Sequence, residues 1–247
     1  MLNMVMRHSL CIFLTCFGLA DAMAQEISID PTATYLDEDG TETTIRPGES
    51  YNGSAPLKVQ FECNPIGAEG WDAYYEWRFT LEGEGTQEPY LIRYDKDTEY
   101  TFTKAGSHRI VCYATFTRGN ESVEFTEEYW SGESLPFSIG ISESKLEMPN
   151  AFSPNGDGIN DIYKAKPGYQ SLVSFKASIF NRWGRKLYEW NDPAGGWDGT
   201  YKGSDVADGV YFVLVEAKGA DGRTYKIKRD VNLLRGFIES TSTSMTE

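Results

Sequence analysis

The stretch of this sequence most suggestive of chemistry is Ser153-Pro154-Asn155-Gly156-Asp157-Gly158-Ile159-Asn160-Asp161. Asn155, Asp157 and Asp161 could offer side-chain oxygens at alternating spacing, with the Ile159 carbonyl between them, as a calcium loop does. Laid on the helix–loop–helix pattern, however, Ser153 takes the first ligand position and Lys164 stands where a bidentate glutamate belongs. A hard cation loses its main anchor there. Asx-turn hydrogen bonding that fixes the loop is the expectation, with calcium at Asn155, Asp157 and Asp161 as its alternative and no other cofactor.

His108 is the one histidine beyond residue 24. It shares the parity of Ile110 and Cys112 in a strand-like run, which marks a core or corner side chain rather than a general base. A Ser-His-Asp relay or a histidine-rich zinc site has nothing to be built from. Paired carboxylates need no histidine, but a small sandwich rarely forms the cleft they require. No catalytic residue is assigned, and the chain reads as a non-enzyme. In the cluster Trp71, Tyr74, Tyr75, Trp77 and Phe79, the alternation assigns Trp77 and Phe79 to a core. Trp71, Tyr74 and Tyr129-Trp130 are left as candidates for stacking on a sugar or a partner ring.

Strands must position these side chains. Aromatic residues make up 14% of the chain, with 24 glycines and 10 prolines, a composition of short strands and tight turns. At the start, Arg7 and His8 precede the apolar run Leu10–Ala20, and Ala22-Met23-Ala24 is an A-x-A cleavage site. Residues 1–24 therefore read as a cleaved signal peptide. Cys11 and Cys16 leave with it, and Cys63 and Cys112, as the two remaining cysteines of an exported chain, are expected to form a disulfide. No later apolar run approaches the ~18 residues that span a bilayer, so no transmembrane segment is expected in the mature chain.

Net charge is −14, and its distribution is uneven. Residues 25–145 hold 23 acidic and 9 basic side chains, whereas residues 146–247 hold 13 of each. All the acidity thus belongs to a first unit, and two units with different surfaces are expected. A duplex nucleic-acid binder needs the opposite sign, which excludes nucleic acid as the expected partner.

In the first unit, residues 25–142, Val59, Phe61 and Cys63 fall on one face at period two, as do His108, Ile110 and Cys112. Tyr75, Trp77 and Phe79 form a third half-buried strand, Tyr100 and Phe102 mark a fourth, and Asp39-Gly40 a turn. Strand-like runs at 122–129 and 137–141 complete the set. The order Cys63, Trp77, Cys112 follows immunoglobulin logic, a tryptophan packed on a bridge between two sheets. With Pro56–Phe61 and Phe102–Val111, this segment resembles PKD-type immunoglobulin-like domains. A short polar linker, 143–145, follows.

Residues 146–235 carry three further stretches. The first runs Asn150-Ala151-Phe152-Ser153-Pro154-Asn155-Gly156-Asp157-Gly158-Ile159-Asn160-Asp161. The second is Ile179-Phe180-Asn181-Arg182-Trp183-Gly184, and the third combines Trp197-Asp198-Gly199 with Gly209-Val210-Tyr211-Phe212. Physically these are turns, in left-handed geometry that Gly, Asn and Asp adopt cheaply, joined to alternating strands. Asp221-Gly222 reads as a hairpin turn. Together they resemble the gliding-motility-associated C-terminal domain, the type B sorting domain of type IX secretion substrates in Bacteroidetes. A Ser- and Thr-rich tail, 236–247, extends past the resemblance.

The expected architecture is all-β: two tandem immunoglobulin-like sandwiches after a signal peptide. The resemblance implies folding in the periplasm and passage through an outer-membrane translocon that recognises the folded C-terminal domain, aided by a cognate β-barrel of the PorP/SprF kind. The acidic sandwich would be the cargo, at the cell surface or released outside, serving as an adhesive or structural interaction module with a protein ligand. The alternative is a carbohydrate-binding surface module with a glycan ligand.

Overall fold

The computed structural model describes residues 26–37, 39–83 and 88–236. The expected signal peptide and the tail beyond Gly236 lie outside them.

The first domain contains β1 (Ser28–Ile29), β2 (Thr32–Leu36), β3 (Glu42–Ile45), β4 (Ser50–Gly53), β5 (Leu57–Glu62) and β6 (Pro65–Ile66). It continues with β7 (Asp72–Leu81), β8 (Leu91–Arg93), β9 (Asp97–Phe102), β10 (Gly106–Arg118), β11 (Glu121–Phe125), α1 (Glu127–Gly132) and β12 (Phe137–Ile141). One sheet runs β4-β12-β10-β7-β8, with β11 paired to the far end of β10; the other runs β3-β2-β5-β9. Alternation dictates which face is buried. In β5, Leu57, Val59 and Phe61 point inward while Lys58, Gln60 and Glu62 face water. Phe61 meets Trp77, Phe79, Phe102 and Phe137, with ring centroids 5.4–6.4 Å apart, mostly edge to face.

One element departs from the sequence expectation. The run 122–129 reads as a strand, but the strand ends at Phe125 and α1 follows. The helical turn folds Trp130 back onto the outer face of β10, where its indole N–H donates to the Cys112 carbonyl at 2.8 Å. Trp130 and Val111 are each only 1% exposed as a result. A six-residue helix is marginal alone; burying this tryptophan holds it, and Glu127 and Glu128 suit its positive N-terminal end.

The second domain contains β13 (Ala151–Phe152), β14 (Leu172–Phe180), β15 (Lys186–Trp190), β16 (Thr200–Tyr201), β17 (Ser204–Asp205), β18 (Gly209–Gly219) and β19 (Thr224–Leu233). Five strands form one sheet, β13-β19-β18-β14-β15, and β16-β17 make a separate ribbon. Tyr211, Val213, Val215 and Ala217 alternate inward along β18. The layer facing them is this ribbon together with the loops 153–171 and 191–199, stitched by the bridge between Tyr163 and Trp197. Glycine, asparagine and aspartate are too dense in those loops for a long ladder.

The boundary at 143–145 is firmly tied. Ser144 is buried; its hydroxyl donates to Asp221 Oδ1 at 2.7 Å, and Tyr225 Oη donates to its carbonyl at 2.9 Å. The β18–β19 hairpin tip reaches across: the Ala105 N–H donates to the Ala220 carbonyl at 2.9 Å, and Ala220 joins the core of the first domain. The Ala55 N–H donates to Ser171 Oγ at 3.2 Å beside it.

Candidate functional site

The motif residues of the second domain divide by what they touch. The loop 153–161 is organised around Asp161. Its Oδ1 accepts the N–H groups of Asn155 (2.9 Å) and Gly156 (2.7 Å), and Oδ2 accepts that of Gly158 (2.8 Å). Asn155 Oδ1 accepts from the Asp157 N–H at 3.1 Å, and Asp157 Oδ1 from the Ile159 N–H at 2.8 Å, two successive Asx turns. Gly156, Gly158 and Asn160 take positive φ of 78°, 84° and 54°, which side chains larger than Asn rarely adopt. The amide donors, Gly156 first, hold the Asp161 carboxyl below the usual carboxylate range.

The three residues considered for calcium are therefore brought together, but their oxygens are turned onto N–H groups, not toward a common centre. They do not fit a cation site. Among the described residues, no group of three or more His, Cys, Asp or Glu side chains could hold a metal ion.

Phe152, Trp197 and Tyr211 are core. Trp197 stands 5.4 Å from Phe152 and 5.1 Å from Tyr211 between centroids. Its indole N–H donates to the Thr200 carbonyl at 2.8 Å, and Tyr211 Oη to the Ala207 carbonyl at 2.7 Å. Asp198 Oδ1 caps the Thr200 N–H at 2.9 Å. Gly199, at φ +79°, lies where a Cβ would come within 2.9 Å of Pro154, so the first and third motifs meet there. The Asn150 carbonyl accepts from the Asn232 N–H at 2.9 Å, which seats β13 on β19, and Gly209, at φ +141°, opens β18.

Sequence reasoning assigned no role to Arg235. Its guanidinium donates to the carbonyls of Gly199 (2.8 Å) and Val206 and lies 3.3 Å from Asp205 and 3.5 Å from Asp208, tying β19 to the ribbon. A lone arginine just after a terminal strand was the only signal available.

The second motif is a turn. Asn181 Oδ1 accepts the N–H groups of Trp183 (3.1 Å) and Arg185 (3.0 Å), and Gly184 sits at φ +76°. Unlike Phe152, Trp197 and Tyr211, Trp183 is exposed, at 78%, with the Arg182 guanidinium 4.7 Å over its ring.

In the first domain, Cys63 and Cys112 are both fully buried, one from each sheet, and Trp77 pairs with Cys112 across the β7–β10 ladder. They stand as thiols in contact. The hydrogen bond with Cys63 and then burial push the Cys112 thiol up, so Cys112 is not an activated nucleophile, and neither thiol is exposed. His108 is core, as its parity indicates. The Lys104 carbonyl, 2.9 Å from Nε2, can only accept, so Nε2 carries the proton and Nδ1 accepts from Tyr90 Oη at 2.9 Å. Burial lowers its pKa.

The aromatic candidates do not make a sugar platform. Trp77, Phe79 and Trp130 are buried, and Trp71 is capped by Arg118 at 4.4 Å. Tyr74 is exposed, but its ring and that of Tyr94 are tilted 39° apart rather than coplanar.

Residues 146–229 match the model of the CHU_C type IX secretion signal domain. The second domain is therefore a type IX secretion signal domain, and it marks the chain for export to the cell surface or outside. No curated protein matches the sequence. Among solved structures, the chain is similar to a tetra-tandem repeat in the extending region of a large adhesion protein. Identity is 9%, covering 84% of this chain and 67% of that one, at a TM-score of 0.27. It is also similar to dimeric latent PorU from Porphyromonas gingivalis, at 13% identity over 83% of this chain and 20% of that one, TM-score 0.23. A third likeness is to a membrane-anchored protein from Corynebacterium diphtheriae, at 8% identity, 89% and 61% coverage and TM-score 0.19. Likenesses this distant say nothing of what the chain binds. Among the described residues, no helix is long and apolar enough to cross a membrane.

Proposed function

We propose that the protein is a non-catalytic cell-surface or secreted protein in which residues 146–235 act as a folded address and the acidic first domain is the delivered module. The observation that carries this reading is the use to which the motif side chains are put. Asp161, Asn181, Asp198 and Gly199 close turns, and Phe152, Trp197 and Tyr211 fill the core, so the motifs encode a shape rather than a reaction. A translocon that reads a folded substrate needs such a shape, presented by a rigid domain, together with an outer-membrane β-barrel of the PorP/SprF kind as receptor.

At the surface, the first domain serves as an adhesive or structural module that contacts other proteins. Its sealed aromatic core and its acidic exterior suit a solvated spacer. Cys63 and Cys112, already adjacent in the core, would close as a disulfide in the oxidising periplasm. The test is localisation. Deleting residues 146–247 should leave the remainder in the periplasm, measured by fractionation and surface protease accessibility. Unimpaired surface delivery of the truncated chain would refute the reading.

A further inference from the structure

The described part of the second domain has five arginines, and three are tied to a carboxylate or a backbone carbonyl. Arg223 lies 3.8 Å from Asp221, Arg229 donates to the Met148 carbonyl at 2.8 Å, and Arg235 anchors the ribbon. Arg182 and Arg185 have no carboxylate partner among the described residues. They flank Trp183, which at 78% is the most exposed large apolar side chain described. Val210 (50%) and Phe212 (47%), on the outer face of β18, extend the apolar surface. Between this strand and the 181–185 turn lies a groove of about 610 Å³. Its lining joins core-facing Tyr211 and the partly buried Leu187 and Val206 to the exposed Trp183, Val210 and Phe212.

An exposed tryptophan flanked by two guanidiniums without a carboxylate partner, one of them stacked on its ring, has the composition of an interface anchor. The turn that presents it is held before any partner arrives, by the two N–H groups that Asn181 accepts, which lowers the ordering cost of binding. Planar guanidinium forks match carboxylates two bonds at a time. An anionic membrane surface is the poorer match. Residues 146–247 carry as many acidic as basic side chains, and Asp208 lines the groove itself.

We propose that this groove is where the outer-membrane export machinery grips the domain, its occupant a protein segment that presents carboxylates beside an aromatic or aliphatic side chain. The inference rests on the address reading above. The partner's carboxylates pair with Arg182 and Arg185, and its apolar side chain enters between Trp183 and Phe212.

The test uses the full chain in its native cell with a benzophenone amino acid at position 183. Illumination should yield a cross-link that mass spectrometry maps to an Asp- or Glu-containing segment of an outer-membrane protein. The cross-link should vanish when R182E and R185E are added. In chains without the probe, the double reversal and, separately, Trp183→Ala should lower surface delivery on the order of tenfold or more, as loss of a central anchor does. The unfolding temperature of the purified proteins should be unchanged. An adduct to lipopolysaccharide or to a second copy of this chain would overturn the proposal, as would normal delivery of both variants. Deletion of residues 146–247, run in parallel, separates the two claims. If the deletion blocks delivery and the groove variants do not, the groove assignment falls and the address reading stands; if all are delivered, both fall.

Discussion

The two domains close an all-β core by different means. In the first, two sheets supply both layers, and the buried side chains come at period two from regular strands such as β5 and β7. In the second, one sheet supplies one layer, and the other is built from a short ribbon and loops whose backbone N–H groups are satisfied by Asp161 and Asp198. The surfaces differ in the same sense: the first domain carries the whole net charge, and the second is balanced. A domain closed by ladders leaves its surface free to vary. One closed by side-chain caps has its sequence tied to its turns, which is why the second reads as a set of motifs and the first as a pattern.

The largest test of this contrast is in the cores. Trp77→Ala and Trp197→Ala should each cost about 3–5 kcal/mol, since both side chains are fully buried. Calorimetry should show each change lowering chiefly the transition of its own domain. If Trp197→Ala left the second domain's transition in place, loops rather than the tryptophan would be closing that core.

Redox state comes next. Once Cys63 and Cys112 are bonded, a reductant should lower the first domain's transition, by about 2–5 kcal/mol for a native disulfide in a small domain, and leave the second domain's unchanged. Alkylation of both thiols in native surface protein, without reductant, would overturn the pairing.

Acid should then separate the domains. Asp161 has a folded pKa below its ordinary value, so it contributes stability above the usual carboxylate range and loses it as pH falls through the lowered folded value. Asp161→Asn should flatten the acid limb of the second domain's pH–stability curve. A smaller effect is expected from His108, whose pKa burial also lowers. Its neutral form is favoured in the fold, so the contribution is full above about 6.5 and declines as pH drops below that toward the folded value. Between about pH 6.5 and the carboxylate range, therefore, the first domain should weaken while the second does not. His108→Gln should remove that difference, as measured by unfolding against pH.

Much of the molecule was legible before any coordinates. Alternation found the faces of Val59, Phe61 and Cys63 and of His108, Ile110 and Cys112, and turn chemistry found Asp39-Gly40 and Asp221-Gly222, because period two and positive φ are local properties. The run 122–129 misled because its alternation continues past the point where Trp130 must bury. Calcium at Asn155, Asp157 and Asp161 was a fair spacing argument, but spacing does not say whether an oxygen faces a cation or an amide.

By itself, the sequence determined the all-β character, the placement of charge and the motifs that identify the second domain, since each depends on neighbours along the chain. Only the tertiary structure decided that Arg235 ties β19 to the ribbon, that Ala220 crosses into the first core, and that Trp183 and Phe212, unlike Phe152, Trp197 and Tyr211, face water. Those outcomes depend on which distant segments meet, and the energy that selects them comes from excluding water between side chains that the linear order keeps apart.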